Sequence, residues 1–476
     1  MRAGLYDLEG DLVRGSMVKN ERTLTATDDG GAEIDAEVGL RQVIRTVDDV
    51  LKQPAARGVE IECVAQAAFW HSLIGVDRNG KPTTKVFGWA DTRSRDFVSV
   101  LRKRFDEHEI HNRTGARFHS SFWPAKLLWL RDEFPEAFER TELWLSFSDF
   151  VSLRLLGIAA TSISMASGTG IFDNRTCEWD TSQLRFLNIK QGALPLVSAG
   201  SYTFYLNGKF AKRWPRLKTE QWFPAIGDGA ANNIGAGCIR RSRAALMVGT
   251  SGAMRVAFRG DPPRKLPPGL WCYRIDDRRV IIGGALSDGG GLYAWLKETL
   301  KLSDDETLEE QIAKRAPGEH GLTFLPFLAG ERSTGYNETA RGAIVGLRST
   351  TDRLDILQAA LESVAYRFAA ILDQLNQVSK VREVFASGGA LRRSPVWTQI
   401  IADVLGRDLT LPDADEASMR GAVLLALETT GKIKNIEKVP TSKGKQFKAS
   451  RSRNTAHTAA RKRHAEIYRL LVDRHK

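Results

Sequence analysis

In the middle of the chain, RAALMVGTSGAMRVAFRG (Arg243 to Gly260) runs apolar, turns through glycine and hydroxyl residues, and runs apolar again. Apolar arms around a small-residue turn specify a β-hairpin. The second arm, Met254-Arg255-Val256-Ala257-Phe258, matches in character the first five residues, Met1-Arg2-Ala3-Gly4-Leu5. There Ala3, Leu5 and Leu8 alternate, LEGD turns, and a partner strand starts at Leu12–Val13. Two similar hairpins, each opening a long mixed segment, predict a duplicated α/β architecture. The 476 residues, 42% of them hydrophobic, suffice for two or three domains with large cores.

Between the hairpins the pattern mixes strands and helices. GVEIECVAQAAF is strand-like, and HSLIGVDRNGKPTTKVFGWADTRS reads as two strands joined at Asn79–Gly80. Helices are predicted at WPAKLLWLRDEFPEAFER and DFVSLRLLG, and WFPAIGDGAANNIGAGC reads as a strand feeding a Gly-rich turn. After the second hairpin, RVIIGGALSDGGGLYAWLKETL, REVFASGGALRRSPVWTQIIADVLG and ASMRGAVLLALETTG continue a second α/β half.

Several function classes are disfavoured. No signal-peptide layout opens the chain and no apolar run approaches ~18 residues. Cys63, Cys177, Cys238 and Cys272 are far apart without CxxC spacing, which disfavours a disulfide framework or a zinc site. The reading is a soluble, cytoplasmic chain. The net charge of +12 is concentrated at the end, where residues 431–476 hold 14 Lys and Arg against 3 acidic residues. With Phe447 as the one aromatic within its basic stretch, this segment is expected to be a solvated basic tail, not a nucleic-acid arm. Ile467, Leu470 and Leu471 share a helical stripe, predicting a final docked helix.

Among the motifs, Asp228 stands between two glycines at the end of an apolar strand. An Asx-type turn explains this pattern, and so does a carboxylate placed to take a proton from a substrate hydroxyl. VGTSGAMR lacks the GxSxG spacing of a serine nucleophile, and its hydroxyls and free N–H groups suit phosphate oxygens. No GxxxxGK[ST] is present, and neither GDGAAN nor SDGGGL completes GxGxxG. Gly388–Gly389 follow an apolar strand and precede a helix, where a flat ligand could approach the backbone. HEIH is not a metal-binding spacing, and His71, beside Trp70, reads by itself as a core histidine.

Taken together the chain resembles the FGGY family of carbohydrate kinases along nearly its whole length. GAIVGLRSTTDRLDILQAALE (Gly342 to Glu362) fits the C-terminal signature of the family, and SFWPAKLLWL (Ser121 to Leu130) is close to the N-terminal one, with Trp123 at an unusual place. FWHSLIGVD, WADTRS, FPAIGDGAANNIG, GLWCYRID and LPFLAGERSTGYN are most similar to the gluconate kinase branch.

The resemblance implies an actin-like, ribonuclease-H-like fold, with two duplicated domains and a cleft in which sugar and ATP meet. It divides the chain into a sugar-binding domain (1–240), a nucleotide-binding domain (241–430) and the basic tail with its helix (431–476). It implies ATP-dependent phosphorylation of a sugar acid, D-gluconate to 6-phosphogluconate, with a ketose such as xylulose as the alternative. Mg²⁺ accompanies ATP, and a homodimer is left open. Asp228 matches the general base; Trp70, His71 and Trp89 match substrate contacts. Arg2, Thr250, Gly252, Gly290, Gly389 and Arg393 match ATP contacts.

One departure stands out. The first phosphate loop in the family reads roughly Asp-x-Gly-Thr-x-Ser-x-Arg, whereas this chain begins one residue before the Arg. Its Asp helps hold Mg²⁺, so its loss is expected to slow phosphoryl transfer, which rests on positioning and charge stabilisation. A start assigned at an internal Met is the expected explanation. A degenerate sugar-binding relative is the alternative.

Overall fold

The central hairpin forms where its pattern predicts. In the computed structural model, which describes residues 1–473 except 22–23, 199, 201, 304–305, 413–415 and 442, Arg243–Val248 and Gly252–Arg259 pair antiparallel with Val248 opposite Gly252. They are central strands of a seven-stranded sheet. Its order is Trp271–Arg274, Arg279–Leu286, Gly252–Arg259, Arg243–Val248, Glu383–Ser387, Leu409–Pro412, Gly444–Phe447. The first four run antiparallel in succession, and Arg243–Val248, Glu383–Ser387 and Leu409–Pro412 are mutually parallel. Parallel neighbours need helical crossovers, here Arg353–Val378 and Pro395–Leu405. The first of these starts inside the signature segment, at a capping box made by Asp352 and Asp355.

The first half repeats this plan in shorter pieces. Arg2–Ala3 pairs antiparallel with Val18–Lys19, and the turn between them is closed by the Val13 N–H donating to Leu5. Cys63–Val64 and Ala67–Ala68 run parallel to Gln221–Trp222 and Ile226–Gly227. In the second half Arg243–Val248 joins the equivalent antiparallel and parallel pairs; in the first half no strand among the described residues does so. The turn predicted at Asn79–Gly80 is present, with Gly80 in the left-handed region. Its arms pair mainly elsewhere, Ile74–Val76 with Leu143–Leu145 and Val86–Phe87 with Ala32–Ile34. The single helix predicted from WPAKLLWLRDEFPEAFER is broken at Phe134, ahead of Pro135, into Trp123–Glu133 and Pro135–Glu139; the one predicted from DFVSLRLLG spans Phe147–Leu156 and is ended by Gly157 in the left-handed region.

Two expectations need correction. GDGAANNIG is not a flexible turn: Asp228–Gly235 is a helix. It crosses the helix Ala417–Thr429 of the second half, and its glycines serve that crossing. A Cβ on Gly235 would lie 1.8 Å from the Ala417 carbonyl oxygen, and one on Gly421 1.8 Å from that of Ala231. The basic tail is also not a solvated arm. Gly444–Phe447 completes the large sheet and Arg451–Leu471 packs on Pro395–Leu405. Of the predicted apolar stripe only Ile467 packs inward, against the cluster of Leu325, Phe327 and Val472; Leu470 and Leu471 are nearly half exposed, while His457 and His464 are buried. Polar pairing adds to this packing: Tyr468 donates to Glu331 at 2.8 Å, and Tyr366 contacts His457 at 3.2 Å.

Each half has its own apolar core, and a further cluster joins them. In it Trp70, Ile226, Ala230 and Ile234 pack against Trp271, Tyr273, Ile281 and Leu424. Burying each large side chain of this kind contributes roughly 1.5–3 kcal/mol. Among the described residues no helix is long and apolar enough to cross a membrane.

Candidate active site

The parallel strand Ile226–Gly227 ends where the helix Asp228–Gly235 begins, so Asp228 sits at a helix N-terminus beside the join between the halves. Its Oδ1 accepts a 2.7 Å hydrogen bond from the Gly229 N–H, and its own carbonyl accepts one from the Ser418 hydroxyl at 3.3 Å. The residue is open to solvent yet lies low between surrounding side chains. That partial dehydration raises its carboxyl above the ordinary aspartate value, and the nearby Arg255 and Arg332 guanidiniums oppose the rise. A carboxylate that is reachable, raised and unpaired is suited to accept a proton.

The glycines flanking Asp228 do not leave it without bulky neighbours. They make room for Trp70: a Cβ on Gly227 would lie 1.8 Å from the indole Cε2, and one on Gly229 2.6 Å from Cζ3. Trp70 spends its Nε1–H on the Ser164 carbonyl at 2.9 Å, so it offers a wall and not a donor.

His71, in the left-handed region at φ 68°, is buried as a core histidine would be. Its ring rests edge-on against Phe122 and Tyr273, with centroids 4.8 and 5.7 Å away. Nδ1 contacts the Gly168 carbonyl at 2.5 Å. Burial, with the Arg332 and Lys126 cations near it, pushes its pKa well below the ordinary value. The ring is therefore neutral, with its proton on Nδ1, and Nε2 is left as an acceptor for a ligand hydroxyl. Trp89 joins this group through Arg332, whose guanidinium lies 5.4 Å from the indole centroid.

Three glycine-containing turns converge at the other end of the site. Gly290 donates its N–H to Gly249 at 2.8 Å, and Gly291 donates to Thr250 at 2.9 Å. A Cβ on Gly290 would meet the Gly249 carbonyl oxygen at 2.5 Å and Ala390 at 2.9 Å. Gly388, at φ 104°, would place a Cβ 2.2 Å from the Val248 carbonyl oxygen. Thr250, Gly252, Gly290 and Gly389 are thus brought together, and the Arg393 guanidinium lies over Gly389, 3.1 Å from where a Cβ would be. No contact brings Arg2 to these turns among the described residues; from the first hairpin it pairs at 2.5 Å with Glu416, ahead of the helix whose Ser418 donates to the Asp228 carbonyl.

The sequence reading missed five side chains. Arg255 and Arg332 flank Asp228, and Tyr273 packs on Trp70 with its hydroxyl buried and unpartnered. Lys126 is buried with its pKa pushed down to about 7, its Nζ donating to the Ser121 carbonyl at 2.6 Å. Asp288, pushed up to about 6 by burial, accepts from the Ala329 N–H in the turn before Gly290. All five stood in motifs already singled out: Arg255 in VGTSGAMR, Arg332 in LPFLAGERSTGYN, Tyr273 in GLWCYRID, Lys126 in SFWPAKLLWL, Asp288 in SDGGGL.

A separate cavity of about 240 Å³, lined in part by Gln66, Ser162, Phe223, Asp276 and Glu428, does not include Asp228, Trp70 or His71.

Residues 1–220 match the N-terminal domain, and residues 244–429 the C-terminal domain, of the FGGY family of carbohydrate kinases. A gluconokinase of Bacillus subtilis (strain 168) is 28% identical over 462 residues, covering 94% of this chain and 89% of the relative. A xylulose kinase of Staphylococcus xylosus is 24% identical over 404 residues, covering 83% and 82%. The crystal structure of a gluconate kinase from Lactobacillus acidophilus superposes with a TM-score of 0.90 at 26% identity, over 99% of this chain and 95% of that one. A ligand-bound xylulose kinase from Lactobacillus acidophilus gives 0.91 at 26% identity, over 99% and 96%.

Proposed function

This chain belongs to the FGGY family of carbohydrate kinases, a phosphotransferase with the two-domain actin-like ATPase fold, and from that premise we propose that it transfers the γ-phosphoryl group of ATP to the terminal hydroxyl of D-gluconate in the cytoplasm. The observation that carries the reading is the position of Asp228: a carboxylate without an ion-pair partner among the described residues, at a helix N-terminus whose flanking glycines meet Trp70 and Arg255.

The sugar hydroxyls lie along His71, Trp89 and Tyr273, and the triphosphate lies along Thr250, Gly252 and Gly290. Asp228 accepts the proton of the attacking hydroxyl as its oxygen bonds to the γ-phosphorus and the bridging oxygen leaves with ADP. Gly389 and Arg393 border the nucleoside, and Arg2 closes the site beside Glu416. Closure of the halves about the Asp228–Gly235 and Ala417–Thr429 crossing would exclude water, which competes with the sugar for the phosphoryl group.

Among the described residues no three metal-ligating side chains gather. The donor set fits an ion carried in by ATP, since Mg²⁺ with nucleotide keeps water and phosphate oxygens and needs only one or two carboxylates; Asp288, in the turn before Gly290, is the residue that would hold it. When bound, the ion offsets charge on the transferring group.

Gluconate is favoured by the gluconokinases among the relatives and by the two guanidiniums beside Asp228. Xylulose is the second reading, supported by kinases of comparable structural likeness. A coupled ADP-release assay across sugar acids, ketoses and polyols decides between them. Turnover with D-gluconate is expected; turnover with xylulose and with no sugar acid would replace the first reading by the second.

A further inference from the structure

Arg255 is a buried cation with no ion-pair partner within 4.0 Å among the described residues. The residue is 7% exposed and its Nη1 is buried without a hydrogen-bond partner. The nearest carboxylate to influence it is Asp228. A buried, unpaired cation is costly unless an anion arrives to pair with it.

The fold has made space for this side chain on two sides. Across the sheet Arg255 faces Gly283, where a Cβ would lie 2.9 Å from the Arg255 Cγ. Towards the helix, a Cβ on Gly229 would lie 3.2 Å from its Nε. Side chains alternate along a strand, so Arg255 shares a face with Ala253 and Ala257. It is the one long side chain of that face between the phosphate turn and Ala257, which packs in the cluster of Trp70 and Tyr273. Arg255 is three positions along the strand from Gly252, about 10 Å at the usual rise. That distance puts it on the sugar side of the cleft.

We infer that Arg255 receives the carboxylate of a sugar acid and is the residue by which this cleft distinguishes aldonates from neutral sugars. The inference rests on the reading of the site as a sugar-acid kinase. It gives Arg255 a partner that Asp228 cannot be, because Asp228 must stay free to take the hydroxyl proton. Arg255 is well suited to the task, since its planar fork matches a carboxylate bidentately.

Calorimetric titration tests it with three ligands: D-gluconate, D-glucitol (the same carbon chain with a hydroxymethyl group in place of the carboxylate) and a non-hydrolysable ATP analogue. The wild-type chain should prefer gluconate. Arg255→Met should lose at least tenfold in gluconate affinity while keeping glucitol and nucleotide affinity, and Arg255→Lys should retain part of the preference, which controls for loss of the fold. Arg255→Met that keeps the wild-type preference overturns the inference and leaves the gluconate reading standing. Loss confined to the nucleotide also overturns it, by assigning Arg255 to a phosphoryl oxygen. A wild-type chain that does not prefer gluconate overturns both.

Discussion

Gly235 and Gly421 face each other where two helices from opposite halves cross: a Cβ on Gly235 would lie 2.9 Å from the Gly421 nitrogen, and one on Gly421 2.8 Å from the Gly235 nitrogen. The nearest atoms are backbone, so no rotamer change can relieve a methyl group there. Asp228 opens one of these helices and Ser418, on the other, holds the Asp228 carbonyl. The spacing of the crossing therefore sets where the carboxylate stands relative to the second half.

Gly421→Ala should separate the helices and cost roughly 1–3 kcal/mol or more, the range for overpacking a close contact. Thermal unfolding should shift down, and kcat should fall further than sugar affinity, because the carboxylate is displaced while the wall of Trp70 and His71 remains. A variant with wild-type Tm and kcat would show that the crossing does not set the site.

The raised carboxyl of Asp228 predicts the acid limb of the pH profile. A base must be ionised, so kcat/KM should fall as pH drops through a value above the ordinary aspartate range. Arg255 opposes that rise; Arg255→Met removes its cation and should move the limb to higher pH. A limb that stays in place, or moves down, in the variant would contradict the electrostatic coupling of the two residues.

His464 gives a stability prediction independent of catalysis. Burial, with the Arg367 cation near it, pushes its pKa down to about 3, so the folded chain keeps the ring neutral where the unfolded chain protonates it. Its contribution is fully present above about pH 6.5 and declines as pH falls towards 3, at up to about 1.4 kcal/mol per pH unit. Unfolding measured between pH 7 and pH 4 should show a shallower acid-side loss for His464→Leu than for the wild type. Parallel curves would mean that the imidazole is protonated in the fold.

The hairpins, the duplicated α/β plan and the glycine-containing turns were legible because each depends on local pattern. The helix at Asp228 was not: its glycines look like a turn, and only the contacts with Trp70, Ala417 and Gly421 show that they permit close packing. The tail misled for a related reason. Its charge suggested solvation, while its docking uses His457, His464 and Tyr468 against polar partners that lie far away in sequence. Arg255 and Arg332 were hidden because arginines are ordinary on a surface; what marks Arg255 is burial without a partner, and sequence does not report that.

The measurement that bears most directly on the account is Asp228→Asn, read by sugar titration and by turnover in parallel. The substitution keeps the shape of the side chain and removes its ability to take a proton. Sugar affinity within a few-fold of wild type, with kcat reduced by the roughly 10²–10⁴-fold typical of a lost general base, is the predicted result. Turnover comparable to wild type would contradict it and place the proton acceptor elsewhere.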